Sequence, residues 1–392
     1  MTTPFFDTYK AQYNEVVAWR RHLHQHPELS FFETKTAAFI EEKLRGFGLT
    51  DIRTNVGGKG IVATIHGANE GPTLAFRADF DALPIVDEKE TAYTSTIKGV
   101  MHACGHDGHT ANLLGLAYVL MQHTEALHGN VVLIFQHAEE KPPGGAKPMI
   151  EAGALDGVDY VFGAHLVSEL PVGKIASRKG PTMASVDAFK IHLQGRGGHG
   201  ARPHQTVDSI AVGSRLVTHL QQIVSRRINP VEPAVVTIGR FHAGHAFNII
   251  ADTAEIEGTV RAMSHDVRIQ LEQEIRAILE GMKHADHIDY TLEFTHGYPV
   301  LINTEAETAL VASLAAQTFS EDASITKDIA LGADDFAYFL EQRPGSYFFV
   351  GSHNDDPATQ YPHHHPRFDF DERALLQIGE MFLALVGYYL VK

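Results

Sequence analysis

The chain has 392 residues, 44% of them hydrophobic, with a formal net charge of -16, one cysteine and 25 histidines. That acidity argues against nucleic acid or an anionic membrane surface as the main partner, and neither Lys nor Arg forms a basic block. A lone cysteine excludes an internal disulfide, which fits a reducing compartment and a cytoplasmic location, and the length exceeds what one core usually holds, so two domains are expected.

Polar residues are spread through 1–13, with no positive region leading into a long apolar run, and no apolar stretch is long enough to span a bilayer, so neither a secretory leader nor a membrane span is expected. Tyr9, Tyr13, Val16, Val17 and Leu23 recur near helical spacing and place a helix within 5–29. A second helix is expected at 34–47, ahead of Gly48. Short apolar or β-branched runs at 61–65, 74–78, 131–135 and 160–164 predict strands, with a buried helix at 109–121 between them. This alternation indicates an α/β catalytic domain whose mixed central sheet is flanked by helices. After Gly180 the order becomes strand 184–193, helix 208–224, strands 235–240 and 254–263, helix 267–282 and strand 290–295. That is a ferredoxin-like β-α-β-β-α-β unit. A helix at 305–318 and a strand at 346–351 then resume the first pattern. The expected topology is a discontinuous catalytic domain, 1–180 and 297–392, carrying an inserted domain at 181–296.

Candidate chemistry clusters just past the predicted strands. Asp79 and Asp81 follow 74–78, Glu139 and Glu140 follow 131–135, His165 follows 160–164, and Cys104 and His106 precede a helix. In open α/β sheets ligands collect at the carboxyl ends of strands, so these groups should converge. Gly105 lets the backbone turn so that a thiolate and an imidazole address one centre, a pairing that suits zinc or a related transition metal. Two adjacent carboxylates after an apolar strand call for a compensating cation. One can ligate it while the other moves protons, the division that metal-assisted hydrolysis needs. Three further imidazoles lie in the proline-bounded run Pro362-His363-His364-His365-Pro366. The Gly195-Arg196-Gly197-Gly198-His199-Gly200 stretch lacks the Lys and Ser/Thr of a phosphate-binding loop.

Six segments carry a resemblance over nearly the whole chain: 21–30 (RHLHQHPELS), 77–84 (RADFDALP), 101–107 (MHACGHD), 138–140 (AEE), 197–199 (GGH) and 364–368 (HHPRF). Together they resemble the amidohydrolase branch of the dinuclear metallopeptidase clan, which includes bacterial aminoacylases, hippurate hydrolases and plant auxin-conjugate hydrolases. The resemblance implies two divalent ions (Zn, Mn, Co or Ni) held by Cys104, His106, Glu140, His165 and His364, with the thiolate able to bridge them. It implies Glu139 as general base and Asp81 behind the ligands. His364 is chosen from the triple because it stands two residues before Pro366, while His363 takes a position usually apolar in that family. The inserted domain becomes a lid and homodimerisation domain in which His199 reaches the partner subunit's site to stabilise an oxyanion. Asn248 and Arg261 match positions that contact substrate. Asp334 stands where the family usually has Glu, and no role is assigned to it.

The implied reaction is hydrolysis of the amide of a small-molecule N-acyl amino acid, giving a carboxylic acid and a free amino acid. A dipeptidase or carboxypeptidase would use identical chemistry. Two other readings are a non-catalytic metal-binding scaffold and a hydrolase with Cys104 as nucleophile; retention of Glu139 with every ligand argues against the first, and the flanking His102 and His106 against the second.

Overall fold

A computed structural model of the protein describes residues 3–392. The chain divides into two compact units: one comprises 1–180, 302–328 and 335–392, the other 181–301 and 329–334. No helix among the described residues is long and apolar enough to cross a membrane.

The first unit is built on an eight-stranded mixed sheet. Its strand order is Ile52–Val56, Gly60–His66, His128–Gln136, Asn69–Asp79, Tyr160–Pro171, Gly345–His353, Ile175–Ser177 and Ser324–Thr326. The four central strands from His128–Gln136 to Gly345–His353 run parallel, so their carboxyl ends share one edge. Their apolar runs are continuous because both faces are covered. The expected strands are present and mostly longer than their apolar cores. In this sheet the missed strands are the polar edge Ile52–Val56 and two three-residue segments, none of which carries a readable period.

The helix His106–Met121 is buried at every position except Tyr118 and Met121. Helices Thr3–Gln25, Thr34–Gly46 and Arg373–Leu390 pack around it. Gly115 permits this close approach, because a Cβ there would lie 2.8 Å from Val16 Cγ2 and 2.9 Å from Tyr9 Cε2.

A buried cation fixes the start of that helix. Arg20 is fully buried and donates from Nε to Asp107 Oδ2 at 2.9 Å, from Nη2 to Asp369 Oδ1 at 2.8 Å and from Nη1 to Glu372 Oε1 at 3.2 Å. The rings of Phe370 and Tyr93 lie 4.2 and 4.8 Å from its guanidinium carbon. His24 Nδ1 sits 2.8 Å from the same Asp107 oxygen. Asp107, in the first helical turn, is therefore tied to the N-terminal helix and to the segment that opens the C-terminal one.

In the second unit, four antiparallel strands stand in the order Ala234–Ala243, Thr253–Ala262, Ser185–Gln194, Asp289–His296. With helices Ser209–Arg226 and His265–Asp286 this is the β-α-β-β-α-β order. Val212, Leu216, Leu220 and Ile223 on one helix, and Val267, Leu271, Ile275 and Leu279 on the other, are buried at helical spacing. Asp208 and Ser264 cap the two helices through their side-chain oxygens. Residues 297–301 and 329–334, including the buried Asp334, group with this unit and not with the larger body to which the sequence pattern gave them. Their few residues follow or stand apart from the periodic segments, so the pattern could not place them.

Replacing Arg20 with Met should lower stability by about 3–5 kcal/mol, because Asp107 and Asp369 would remain buried without their cation. Urea unfolding followed by circular dichroism measures this; a loss below about 1 kcal/mol would show that the carboxylates find other partners.

Candidate metal centre

The parallel strands deliver the candidate residues to one edge. Asp79 is the last residue of its strand, Glu139 and Glu140 follow the strand ending at Gln136, and His165 lies within Tyr160–Pro171 opposite Phe349. Between Cys104 and His106, Gly105 adopts φ +88°, a left-handed turn that starts the helix at His106. Two non-glycine residues also take left-handed conformations here: Ala138 at φ +54° and His364 at φ +64°. Such residues cost on the order of 1–3 kcal/mol each and persist where neighbours hold them. Ala138 N–H donates to the buried Glu33 Oε1 at 2.8 Å, and His364 N–H donates to Ala103 O at 2.8 Å.

The hydrogen bonds assign protons to the rings. His106 Nδ1 lies 3.0 Å from the Asp81 carbonyl oxygen, which can only accept, so Nδ1 carries a proton and Nε2 is the nitrogen that faces the carboxylates. That Nε2 is buried without a hydrogen-bond partner, 3.7 Å from Asp79 Oδ2 and 3.9 Å from both Glu139 Oε2 and Glu140 Oε1. His165 Nδ1 likewise donates to a carbonyl, that of Leu166 at 2.5 Å, which leaves its Nε2 3.5 Å from Cys104 Sγ. His364, whose side chain is 53% exposed, places Nε2 3.3 Å from Glu140 Oε1.

These atoms form two three-residue groups with one member in common. Cys104, His106 and His165 are one; Cys104, Glu140 and His364 are the other, with ligand atoms within 4.8 Å of one another in each. His106, Glu139 and Glu140 form a further group that connects them. The donor set of one thiol, imidazole nitrogens and carboxylate oxygens suits divalent transition ions. Glu140 Oε1 joins His106 Nε2 as a buried atom without a hydrogen bond, so both are positioned to accept a cation.

The electrostatics favour positive charge at the same point. Burial alone would lower the pKa of His106, but the carboxylates of Asp79, Asp81 and Glu140 override it and push it up to about 10. Burial raises the Cys104 thiol well above its ordinary range, and Glu140, Glu139 and Asp79 add to the effect. A cation close to the sulfur reverses that balance.

Behind the candidate ligands, Asp81 faces His106 Nδ1 and also accepts from Ser30 Oγ at 2.7 Å and Glu140 N–H at 3.0 Å. Asp79 accepts from Arg77 Nη1 at 2.5 Å and lies 2.7 Å from His109 Nδ1. His102 is buried with both ring nitrogens unpaired and stands outside these groups; burial lowers its pKa to about 4. Glu33, Arg77 and Asp335 were given no role from the sequence. The Arg77–Asp335 contact at 2.9 Å spans 258 positions, a separation no local pattern reports.

His199, Asn248 and Arg261 lie in the second unit. The exposed His199 pairs with Ile249 on a two-stranded ribbon, and Gly200 N–H donates to Asn248 O at 2.9 Å, so His199 and Asn248 are neighbours. Ala201 N–H donates to His199 Nδ1 at 3.0 Å, which leaves the proton on Nε2 as an outward donor. Arg261 stands apart from them on strand Thr253–Ala262 and donates to Leu331 O at 2.6 Å.

The model of peptidase family M20/M25/M40 matches residues 75–387. The chain is 47% identical over 289 residues to an N-acyl-L-amino acid amidohydrolase of Geobacillus stearothermophilus, covering 74% of this chain and 78% of that protein. It is 40% identical over 375 residues to thermostable carboxypeptidase 2 of Saccharolobus solfataricus, covering 95% and 94%. Among solved structures it resembles the YXEP protein of Bacillus subtilis, described as a dinuclear metal binding peptidase from the M20 family. The TM-score is 0.82 and the identity 34%, over 96% of this chain and 98% of that one.

Because Asp81 orients both His106 and the Glu140 backbone, Asp81→Ala should weaken divalent-ion binding about 10–100-fold. Titration of the metal-stripped protein with zinc against a competing chelator measures it; unchanged affinity would show that Asp81 does not orient these groups.

Proposed function

This chain belongs to peptidase family M20/M25/M40, and we propose that it is a metal-dependent amidohydrolase that cleaves N-acyl amino acids to a carboxylic acid and a free amino acid. The observation that carries this reading is the pair of three-residue groups sharing Cys104, with Glu139 at their border. In this reading Cys104, His106 and His165 hold one divalent ion, and Cys104, Glu140 and His364 hold the other. When bound, the ions supply Lewis acidity and lower the pKa of a water towards about 7.

The protein's own groups carry the proton. Glu140 stands with His364 in one ligand group, its Oε1 3.3 Å from His364 Nε2, and its backbone N–H donates to Asp81. Glu139, 7% exposed, keeps a carboxylate oxygen 3.9 Å from His106 Nε2. Glu139 takes a proton from the attacking water and returns it to the departing amine as the C–N bond breaks. The outward Nε2–H of His199 suits stabilisation of the oxyanion in a partner subunit. Asn248 and Arg261 are proposed to bind substrate, the guanidinium suiting its carboxylate.

A homodimer through the second unit fits the exposed apolar side chains Ile210, Phe241, Phe247 and Ile249, which lie on or beside the segment bearing Asn248. A cytoplasmic location fits the lone cysteine acting as a ligand. The carboxypeptidase name of one relative supports a second reading, a peptidase with the same centre and another pocket.

Glu139→Gln should lower kcat by about 10²–10⁴-fold while metal content stays unchanged. Near-normal turnover by the loaded variant would sink the mechanism. In a panel of N-acyl amino acids and dipeptides the former should give the higher kcat/KM, and the reverse order would establish the peptidase reading. Mixing inactive Glu139→Gln and His199→Ala subunits should restore activity, since one site of each mixed dimer has both groups intact; no recovery would exclude the shared site.

A further inference from the structure

The backbone of Leu166, one residue past His165, is held by three imidazoles. Its N–H donates to His109 Nε2 at 3.0 Å. Its carbonyl oxygen takes His165 Nδ1 at 2.5 Å and His363 Nε2 at 2.9 Å. An amide N–H only donates and a carbonyl only accepts, so every proton is placed. His165 carries its proton on Nδ1 and His363 on Nε2. His109 has a bare Nε2 and therefore donates from Nδ1 to Asp79 Oδ1 at 2.7 Å.

The rings interlock as well. The His165 ring centre lies 4.8 Å from that of His109 and 5.3 Å from that of His363, both steeply inclined to it. His363 is in turn backed by the Phe368 ring at 4.8 Å.

We infer that His363 and His109 are positioning residues that hold the Leu166 backbone, His363 at its carbonyl and His109 at its N–H, and so fix the ring plane and tautomer of His165. This rests on the proposed reading of His165 as a metal ligand. His165 Nδ1 donates to the Leu166 carbonyl, which His363 Nε2 holds as well, while His109 holds the N–H on the other side of the same Cα. The bare Nε2 is thereby held facing Cys104 Sγ. An apolar residue at 363 could fill the space against Phe368 but could not hold the carbonyl. Because His165 belongs to only one of the two groups sharing Cys104, the clamp acts on one ion and spares the other.

The test is cobalt(II) titration of the metal-stripped protein, following metal content and the thiolate-to-cobalt charge-transfer band. The wild type, His363→Leu, His363→Gln and His165→Ala are compared, with Tm recorded for each. His165→Ala should lose one of two ions. His363→Leu should bind that same ion about tenfold more weakly with the other unchanged. His363→Gln, whose amide can still donate to the carbonyl, should bind close to wild type. Wild-type affinity for both ions in His363→Leu would overturn the clamp, as would parallel weakening of both with a lowered Tm that Gln does not restore. Retention of both ions by His165→Ala would instead overturn the ligand reading beneath it.

Discussion

A surplus of buried carboxylate is the constraint around which the first unit is arranged. Asp79, Asp81, Glu139 and Glu140 each bring an oxygen within 3.9 Å of His106. Arg77 offsets part of this by bonding Asp79 and Asp335, and His109 offsets more. Desolvated like charges disfavour one another unless a cation stands among them. The parallel strands bring these groups together, and the centre they form is complementary to positive charge. The same logic explains Arg20 at the other side of the His106–Met121 helix, where one guanidinium neutralises Asp107, Asp369 and Glu372 together.

Much of this was legible in the sequence, for identifiable reasons. Glu139, Glu140 and His165 could be found because each lies just past or within an apolar run, and a strand's carboxyl end is a place that local pattern defines, while Cys104 and His106 flank a glycine at the start of a readable helix. Gly105 could be read as a turn, and its left-handed φ agrees. The β-α-β-β-α-β order of the second unit was readable because its helices bury one side chain per turn. The supports were not readable. Arg20 meets Asp369 across 349 positions, and Glu33 meets Ala138 across 105. Tertiary partners at such distances leave no periodic trace, and a buried Arg or Glu looks in sequence like any other surface charge.

The centre also shows where backbone strain is concentrated. Ala138 and His364, one before the candidate base and one a candidate ligand, occupy left-handed conformations that side chains resist. Each is held through its own N–H, by Glu33 in one case and by Ala103 in the other. Neither Ala nor His announces such a turn as Gly does, so these bends were invisible before the structure. They matter because they aim Glu139 and the His364 ring from loops that would otherwise be free to point elsewhere.

The sulfur of Cys104 is both the only thiol in the chain and the atom common to the two groups. A protein of this size therefore comes with one intrinsic chemical reporter, already installed at the junction of its two sites. An alkylating label has a single place to react, and its uptake would report occupancy without any engineered probe. The arrangement has a reverse side: with one atom serving two positions, a single oxidation event would dismantle both at once.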